Sequence, residues 1–281
     1  MTIRETIKKG MINLKTNGIE EPNLKARLLM QFILNKPRQY LLIYDNQTLS
    51  LRQEVNYFKA IKKIISGVPL QHITHMQEFM KMNFYVDENV LIPRSDTEIL
   101  VEEVINISKK INAKKILDLC TGSGAIAISL AKYIENSEIT AVDISKKALE
   151  IARTNAKNND VENQITFVES DLFKNLKEDN YDVIVSNPPY IKREVIKKLN
   201  KDVQKEPIIA LDGGYDGLDF YRKIINESEK YLKFNGYLCF EIGYDQKEDV
   251  IGIIKNKERY INTYSKKDLY GNDRIIITKL S

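Results

Sequence analysis

Tryptophan is absent from the sequence, and cysteine and histidine occur only twice each. Without tryptophan, the chain lacks the largest aromatic surface on which single-stranded bases stack. Cys120 and Cys239 each fall inside an apparent strand, so a disulfide framework or a structural zinc site is not expected. His72 and His75 stand three apart, but no cysteine or third histidine accompanies them, and Gly67-Val68-Pro69 just before argues against a helix; no metal site is predicted. No apolar run approaches the roughly 18 residues of a membrane helix. The amino terminus, Met1-Thr2-Ile3-Arg4-Glu5, lacks the hydrophobic region of a signal peptide, so a cytoplasmic, soluble protein is the expectation. Repeats and low-complexity segments are also missing.

Charge of either sign is nearly balanced overall, at +4, but unevenly placed. Residues 1–75 carry twelve Lys/Arg against five Asp/Glu, and the remainder is slightly acidic. A basic face of this kind suits an acidic protein or RNA, and equally a plain solvated helix surface.

Residues 1–66 read as helices. Leu24, Leu28 and Phe32 with Leu29 and Ile33 form one apolar stripe, and Val55, Phe58, Ile61, Ile64 and Ile65 form another, which Ser50 and Gln53 open with a capping box. Between 76 and 94 the pattern alternates, with Phe79, Phe84, Val86, Val90 and Ile92 around the polar Asp87-Glu88-Asn89, predicting a β-hairpin with its turn there. Helical periodicity resumes after Ser95-Asp96-Thr97-Glu98, where Ser95 and Glu98 can form a second capping box. From Lys115 onward strands and helices alternate. Strands are predicted near 115–120, 138–142, 165–169, 181–186 and 236–242, and helices near 124–134, 146–158, 217–232 and 245–255. That alternation means a parallel sheet covered on both faces, and the last two strands, near 260–265 and 273–279, should pair antiparallel at an edge.

Ile116-Leu117-Asp118-Leu119-Cys120 leads into Thr121-Gly122-Ser123-Gly124 and then into a helix, an arrangement that lets a nucleotide approach the backbone. Gly122-x-Gly124-x-x-Ala127 alone does not separate NAD from S-adenosylmethionine. Three acids at successive strands favour the latter. Asp143, 19 residues past Gly124, suits ribose hydroxyls; Asp171 suits the adenine amino group, with Leu172 against the ring; Asp118 suits a cationic ammonium and sulfonium and would repel a pyrophosphate. The candidate cofactor-binding set is therefore Asp118, Cys120, Thr121, Gly122, Ser123, Gly124, Asp143, Ile144, Asp171, Leu172 and Asn187. Each acid alone could be a turn residue or helix cap.

Asn187-Pro188-Pro189-Tyr190 closes the buried strand 181–186 at its carboxyl end, where open α/β sheets keep ligands. Two prolines make a stiff turn without N–H donors at 188 and 189, leaving carbonyls and one amide side chain to accept hydrogen bonds from an NH₂ group. These four residues are the candidate catalytic set.

With this turn on the fourth strand, the carboxyl-terminal part resembles a seven-stranded, Rossmann-like S-adenosylmethionine-dependent methyltransferase domain. More narrowly, the chain resembles the HemK/PrmC family of release-factor glutamine methyltransferases over essentially its whole length. The resemblance is carried by Gly67-Val68-Pro69-Leu70-Gln71, Glu78-Phe79, Leu91 through Glu98, Asp118 to Ala127, the Asn-Pro-Pro-Tyr turn, Glu206-Pro207, Ala210-Leu211-Asp212-Gly213-Gly214 and Tyr270-Gly271-Asn272-Asp273-Arg274. The sequence departs from the family at Cys120, His75 and Lys81, where glycine is common, and at Ser95, where proline is usual. The resemblance implies an α/β fold in three parts: a helical bundle at 1–75 that helps to dock the release factor, a β-hairpin connector at 76–94 and the methyltransferase domain at 95–281. It also implies a monomer that takes the glutamine of a Gly-Gly-Gln loop in class 1 release factors as acceptor and yields S-adenosylhomocysteine, without binding nucleic acid directly. Competing readings are glutamine methylation of a ribosomal protein, N6-methylation of a flipped adenine, a dehydrogenase, and a partner-binding module with a vestigial site.

Overall fold

The computed structural model describes residues 1–281 and divides into two compact units, Met1–His75 with Asn200–Lys205, and Met76–Leu199 with Glu206–Ser281.

The first unit contains α1 (Ile3–Thr16), α2 (Pro22–Leu34), α3 (Arg38–Ile43), α4 (Leu51–Ile65) and α5 (Leu70–Thr74). The Ser50/Gln53 capping box opens α4 as expected, and Thr2 with Glu5 opens α1 in the same way. Leu14, Leu29, Met30, Tyr57 and Ile61 form the core. In α2 the structure splits the predicted stripe: Leu29 is buried with Ala26 and Met30 and Ile33 packs against them, whereas Leu24, Leu28 and Phe32 are exposed. The helix carries apolar residues on more than one face, so periodicity alone does not separate the buried face from the exposed one.

The second unit begins with β1 (Gln77–Phe79) and β2 (Met82–Phe84), an antiparallel hairpin. Its turn is Met80-Lys81, both left-handed (φ 49° and 61°), as a two-residue hairpin loop requires, rather than Asp87–Asn89. Asp87 instead closes a local turn by accepting the Asn89 amide at 2.8 Å. Val86, Val90 and Ile92 alternate inward without pairing as strands and pack with Ala148 and Ile151.

There follow α6 (Ser95–Ile111), β3 (Lys115–Leu119), α7 (Ala125–Tyr133), β4 (Glu138–Asp143), α8 (Lys146–Asn158), β5 (Ile165–Glu169), β6 (Tyr181–Ser186), α9 (Arg193–Ile196), α10 (Asp219–Ser228), β7 (Leu232–Glu241), α11 (Lys247–Lys255), β8 (Tyr260–Lys267) and β9 (Asp273–Leu280). The seven strands order as β5-β4-β3-β6-β7-β9-β8, parallel through β7 and antiparallel at β9 and β8, as the sequence predicts. β7 starts at Leu232, four residues before its expected start at 236. β8, the edge strand, pairs with two register shifts.

Side-chain alternation sorts the core by face. Ile116, Val183, Val185 and Ile277 pack under α6 and α7, while Leu117, Ile184, Leu238 and Ile276 pack under α10 and α11. Val183, Ile184 and Val185 are all fully enclosed. At about 1.5–3 kcal/mol for each such side chain, β6 is firmly seated, and the turn that follows inherits that rigidity.

The expected Ser95 cap does not form. Ser95 lies within α6, whose N-cap is Arg94. Glu98 instead accepts the Met80 amide at 2.6 Å, anchoring the hairpin turn to the helix.

Candidate active site

The chain order switches direction between β3 and β6, which lie side by side with Leu119 opposite Ser186. The loops leaving those strands therefore open a crevice at the carboxyl edge of the sheet, the usual ligand position in such folds. A cleft is present there, with about 770 Å³ of space free of protein atoms, its open mouth included. Cys120, Gly122, Asp143, Ile144, Asp171, Leu172, Asn187 and Pro189 line it, together with Val90, Leu91, Ala210 and Phe220, which the sequence does not assign to the cofactor site. The lining includes two carboxylates and neither lysine nor arginine, an environment hostile to a pyrophosphate and compatible with a cationic ligand.

The β3 loop is shaped by its own hydrogen bonds. Cys120 adopts φ 60°, Gly122 φ 55° and Gly124 φ 82°. A Cβ on Gly124 would stand 2.9 Å from Ile128 Cδ1 and 3.1 Å from Ala152 Cβ, so the glycine lets α7 and α8 approach the loop. Asp118 lies beneath the loop rather than in the cleft wall. Its Oδ2 accepts the Thr121 hydroxyl at 2.6 Å and the Ala127 amide at 3.2 Å, while its buried Oδ1 has no partner. Burial raises this carboxyl to about 7. Thr121 and Ser123 are likewise buried and serve the loop.

Asp143 is held in place by two backbone donors, Gly122 N–H on Oδ2 at 2.9 Å and Ser145 N–H on Oδ1 at 2.8 Å. Burial also raises its carboxyl, against those two bonds. Each oxygen retains a lone pair for a hydroxyl donor from a ligand. Asp171 is exposed at the rim, and Leu172, left-handed at φ 51°, is turned inward.

Asn187 sits between the cleft and a buried polar cluster. Its Nδ2 donates to Thr97 Oγ1 at 3.2 Å, the Thr97 hydroxyl donates to Glu241 Oε2 at 2.5 Å, and the Tyr190 phenol donates to Glu241 Oε1 at 3.3 Å. No protein donor is bonded to Asn187 Oδ1. Burial raises Glu241 to about 7, opposed by the Thr97 bond and the nearby Arg274 guanidinium. Gln246 braces the turn from behind, donating to the Tyr190 and Gly217 carbonyls at 3.0 and 3.2 Å and accepting from Gly243 N–H at 2.9 Å. Asn155 does the same for the glycine loop, donating to the Ser123 and Tyr85 carbonyls at 2.9 and 3.0 Å. Glu206, nearly sealed, accepts the Ile92 amide at 2.9 Å and pairs with Arg94, a structural role. Thr97, Glu241, Gln246 and Asn155 were not identified from sequence. Glu241 carried a signal as an acid closing a buried strand, and Thr97 lies inside the Leu91–Glu98 segment that carries the resemblance, but Gln246 and Asn155 carried none.

Residues 5–74 match the model of the PrmC N-terminal domain, and residues 95–247 match that of the methyltransferase small domain. The release factor glutamine methyltransferase of Clostridium acetobutylicum is 39% identical over 99% of this chain and 98% of its own length. That of Moorella thermoacetica is 36% identical with the same coverage of both chains. The chain belongs to the release factor glutamine methyltransferase family. Among solved structures, a methyltransferase from Pyrococcus furiosus superposes with a TM-score of 0.51 at 20% identity, covering 83% of this chain and 98% of that one. A ribosomal protein L11 methylase from Lactobacillus delbrueckii superposes at 0.52 and 16% identity, over 74% and 99%. These two likenesses support the fold. Three of the sequence's departures from the family's glycines, at His75, Lys81 and Cys120, all fall at left-handed φ (54°, 61° and 60°), which explains why glycine is common there.

Proposed function

We propose that the protein transfers a methyl group from S-adenosylmethionine to the side-chain amide nitrogen of the Gly-Gly-Gln glutamine of class 1 release factors, in the cytoplasm. The observation that carries this reading is the Asn187 carboxamide, whose NH₂ is tied down by Thr97 while its oxygen is left for an incoming donor.

The cleft fits the cofactor. Asp143, pinned by the glycine loop, would take the ribose hydroxyls; Asp171 and Leu172 would receive the adenine; the unpartnered Asp118 oxygen supplies negative potential beneath the loop near the cationic end. Bound there, S-adenosylmethionine supplies a methyl group on a positively charged sulfur.

An amide nitrogen is a weak nucleophile because its lone pair is delocalised into the carbonyl, so the protein must compensate by positioning. Asn187 Oδ1 and the Pro188 carbonyl would accept the two N–H groups of the glutamine amide, fixing the nitrogen toward the methyl group and favouring the positive charge that grows on it. Tyr190, tethered to Glu241, would wall the slot. No strong general base is needed, because the nitrogen sheds its proton to water once it has become cationic. The helical unit, with Leu24, Leu28 and Phe32 exposed on one side of α2, would add a docking surface for the rest of the release factor.

The test is transfer of labelled methyl to a purified class 1 release factor, beside a Gly-Gly-Ala variant, a ribosomal-protein mixture and an adenine-containing oligonucleotide. Label on the intact factor alone is expected. Label on another substrate moves the function there, and no label on any leaves the binding module.

A further inference from the structure

We propose that Thr97 and Glu241 are positioning residues that set the direction of the Asn187 carboxamide and hold its oxygen toward the acceptor side of the cleft. The proposal rests on the reading of Asn187 as the acceptor of the glutamine N–H groups.

The three residues come from different elements. Thr97 lies in the first turn of α6, Glu241 ends β7, and Asn187 follows β6. A side-chain amide can in principle point either way, since its oxygen and nitrogen differ little in shape. Its direction must be set by partners of fixed polarity. An ionised carboxylate accepts and cannot donate. The Thr97 hydroxyl, 2.5 Å from Glu241 Oε2, therefore donates its single proton there. With that proton committed, Thr97 Oγ1 offers Asn187 only lone pairs, which bond to the NH₂ group and not to the oxygen. Glu241 thus fixes Thr97, Thr97 fixes Asn187, and Oδ1 is left at the opposite end. The second Glu241 oxygen takes the Tyr190 phenol, so one carboxylate orients two residues of the Asn-Pro-Pro-Tyr turn.

The device depends on Glu241 being charged. A protonated carboxyl can donate to Thr97, whose own proton is then released toward Asn187. A reversed amide would present NH₂ to the substrate NH₂, donor against donor. Arg274 on β9 favours the charged form, and Asp96 on α6 opposes it; the Tyr190 and Tyr221 phenols also face Glu241, Tyr221 donating to its backbone carbonyl at 2.9 Å. Burial nonetheless brings the carboxyl up to about 7, so its charge changes near neutral pH.

A purely structural brace between α6 and β7 would affect melting and leave the chemical step alone. The experiment separates the two roles with full-length Thr97→Val, Thr97→Ser and Glu241→Gln proteins. The readouts are kcat and KM on a release-factor substrate, cofactor affinity by calorimetry, and solvent exchange of the Asn187 Nδ2 protons by NMR. Thr97→Val should lower kcat at least tenfold with KM and cofactor affinity within twofold of the parent, and should speed Asn187 proton exchange at least tenfold. Thr97→Ser should restore both. The parent kcat should fall as pH drops through about 7, a limb that Glu241→Gln lacks. Parental kcat and exchange in Thr97→Val overturn the proposal, and so do parental kcat and exchange in Glu241→Gln at pH 8, which decide the matter if the valine variant fails to fold. The exchange measurement needs no substrate. If the parent protein transfers no label, the functional reading fails while exchange still judges the network.

Discussion

Gly213 and Tyr190 meet backbone to backbone: a Cβ on Gly213 would stand 2.7 Å from the Tyr190 Cα and 2.8 Å from its carbonyl carbon. The two segments also exchange bonds across Ile191, whose N–H donates to Leu211 at 3.0 Å and whose carbonyl accepts Gly213 N–H at 2.9 Å. The 206–214 loop is therefore a mould for the Asn-Pro-Pro-Tyr turn. Gly213→Ala should destabilise the second unit by about 1–3 kcal/mol, as overpacking does, and should lower kcat by displacing Asn187. Denaturant titration and kinetics on the same preparation check both effects.

Removing the proposed acceptor, Asn187, separates chemistry from cofactor binding. Asn187→Ala should reduce kcat by about 10²–10³, the cost typical of losing one preorganised group at a developing charge, with S-adenosylmethionine affinity within twofold of the parent. Single-turnover label transfer and calorimetry give the two numbers. Near-parental turnover would remove Asn187 from the chemistry.

Lys81 occupies a hairpin position that glycine fills without steric cost. Because a left-handed backbone costs an L-residue about 1–2 kcal/mol and glycine loses roughly 0.5–1 kcal/mol more backbone entropy on folding, Lys81→Gly should stabilise the second unit by about 0.5–1 kcal/mol net, seen as a higher urea midpoint. The side chain is exposed and makes no hydrogen bond that the change would forfeit.

Asp118 predicts a pH effect with a definite sign. Its folded carboxyl is raised to about 7 by burial, against about 3.9 in an unfolded chain. The folded state therefore binds the proton more tightly, and this contribution to stability, complete below about pH 4, is lost as pH rises to about 7. Asp118→Asn should gain stability relative to the parent steadily between pH 4 and pH 8 when measured without cofactor, while binding S-adenosylmethionine more weakly. A stability difference that does not change with pH would contradict the assignment.

The exposed face of α2 calls for a substrate-size comparison. Phe32→Ser should raise KM for whole release factor severalfold and leave transfer to a short Gly-Gly-Gln peptide unchanged. An equal effect on both substrates would show that the stripe serves the fold of its own unit.

Much of this was legible in the sequence because burial writes a simple code. Val183, Ile184 and Val185 form a run that is enclosed on both sheet faces and ends at a polar turn, and Asp143 closes its strand at the wall of the cleft. Where an inference depended on a local pattern with more than one outcome, it went astray. The alternation of Val86, Val90 and Ile92 records burial without a strand partner, and Ser95 entered α6 because Arg94 already supplied the extended residue before it. Thr97, Asn155 and Gln246 were invisible for a different reason. Apart from the bond of Gln246 to nearby Gly243, their roles come from hydrogen bonds to residues from 29 to 144 positions away, which no spacing rule registers. Glu241 could have been found by applying to β7 the strand-end rule that selected Asp143.

The irregular β8 strand bears on how this protein can meet another. Its pairing with β9 slips at Ile261/Tyr264 and again at Lys266/Lys267, with Asn262 left-handed between flanking strand residues. The free side of β8 consequently offers no even row of N–H and C=O groups, and it ends in two lysines. Both features disfavour the zipping of an incoming segment onto this margin as an extra strand, the means by which sheet proteins blunt edge-to-edge association. At this margin a partner meets side chains rather than a main-chain ladder, in contrast to β5 at the opposite edge of the sheet, which pairs with β4 in unbroken register.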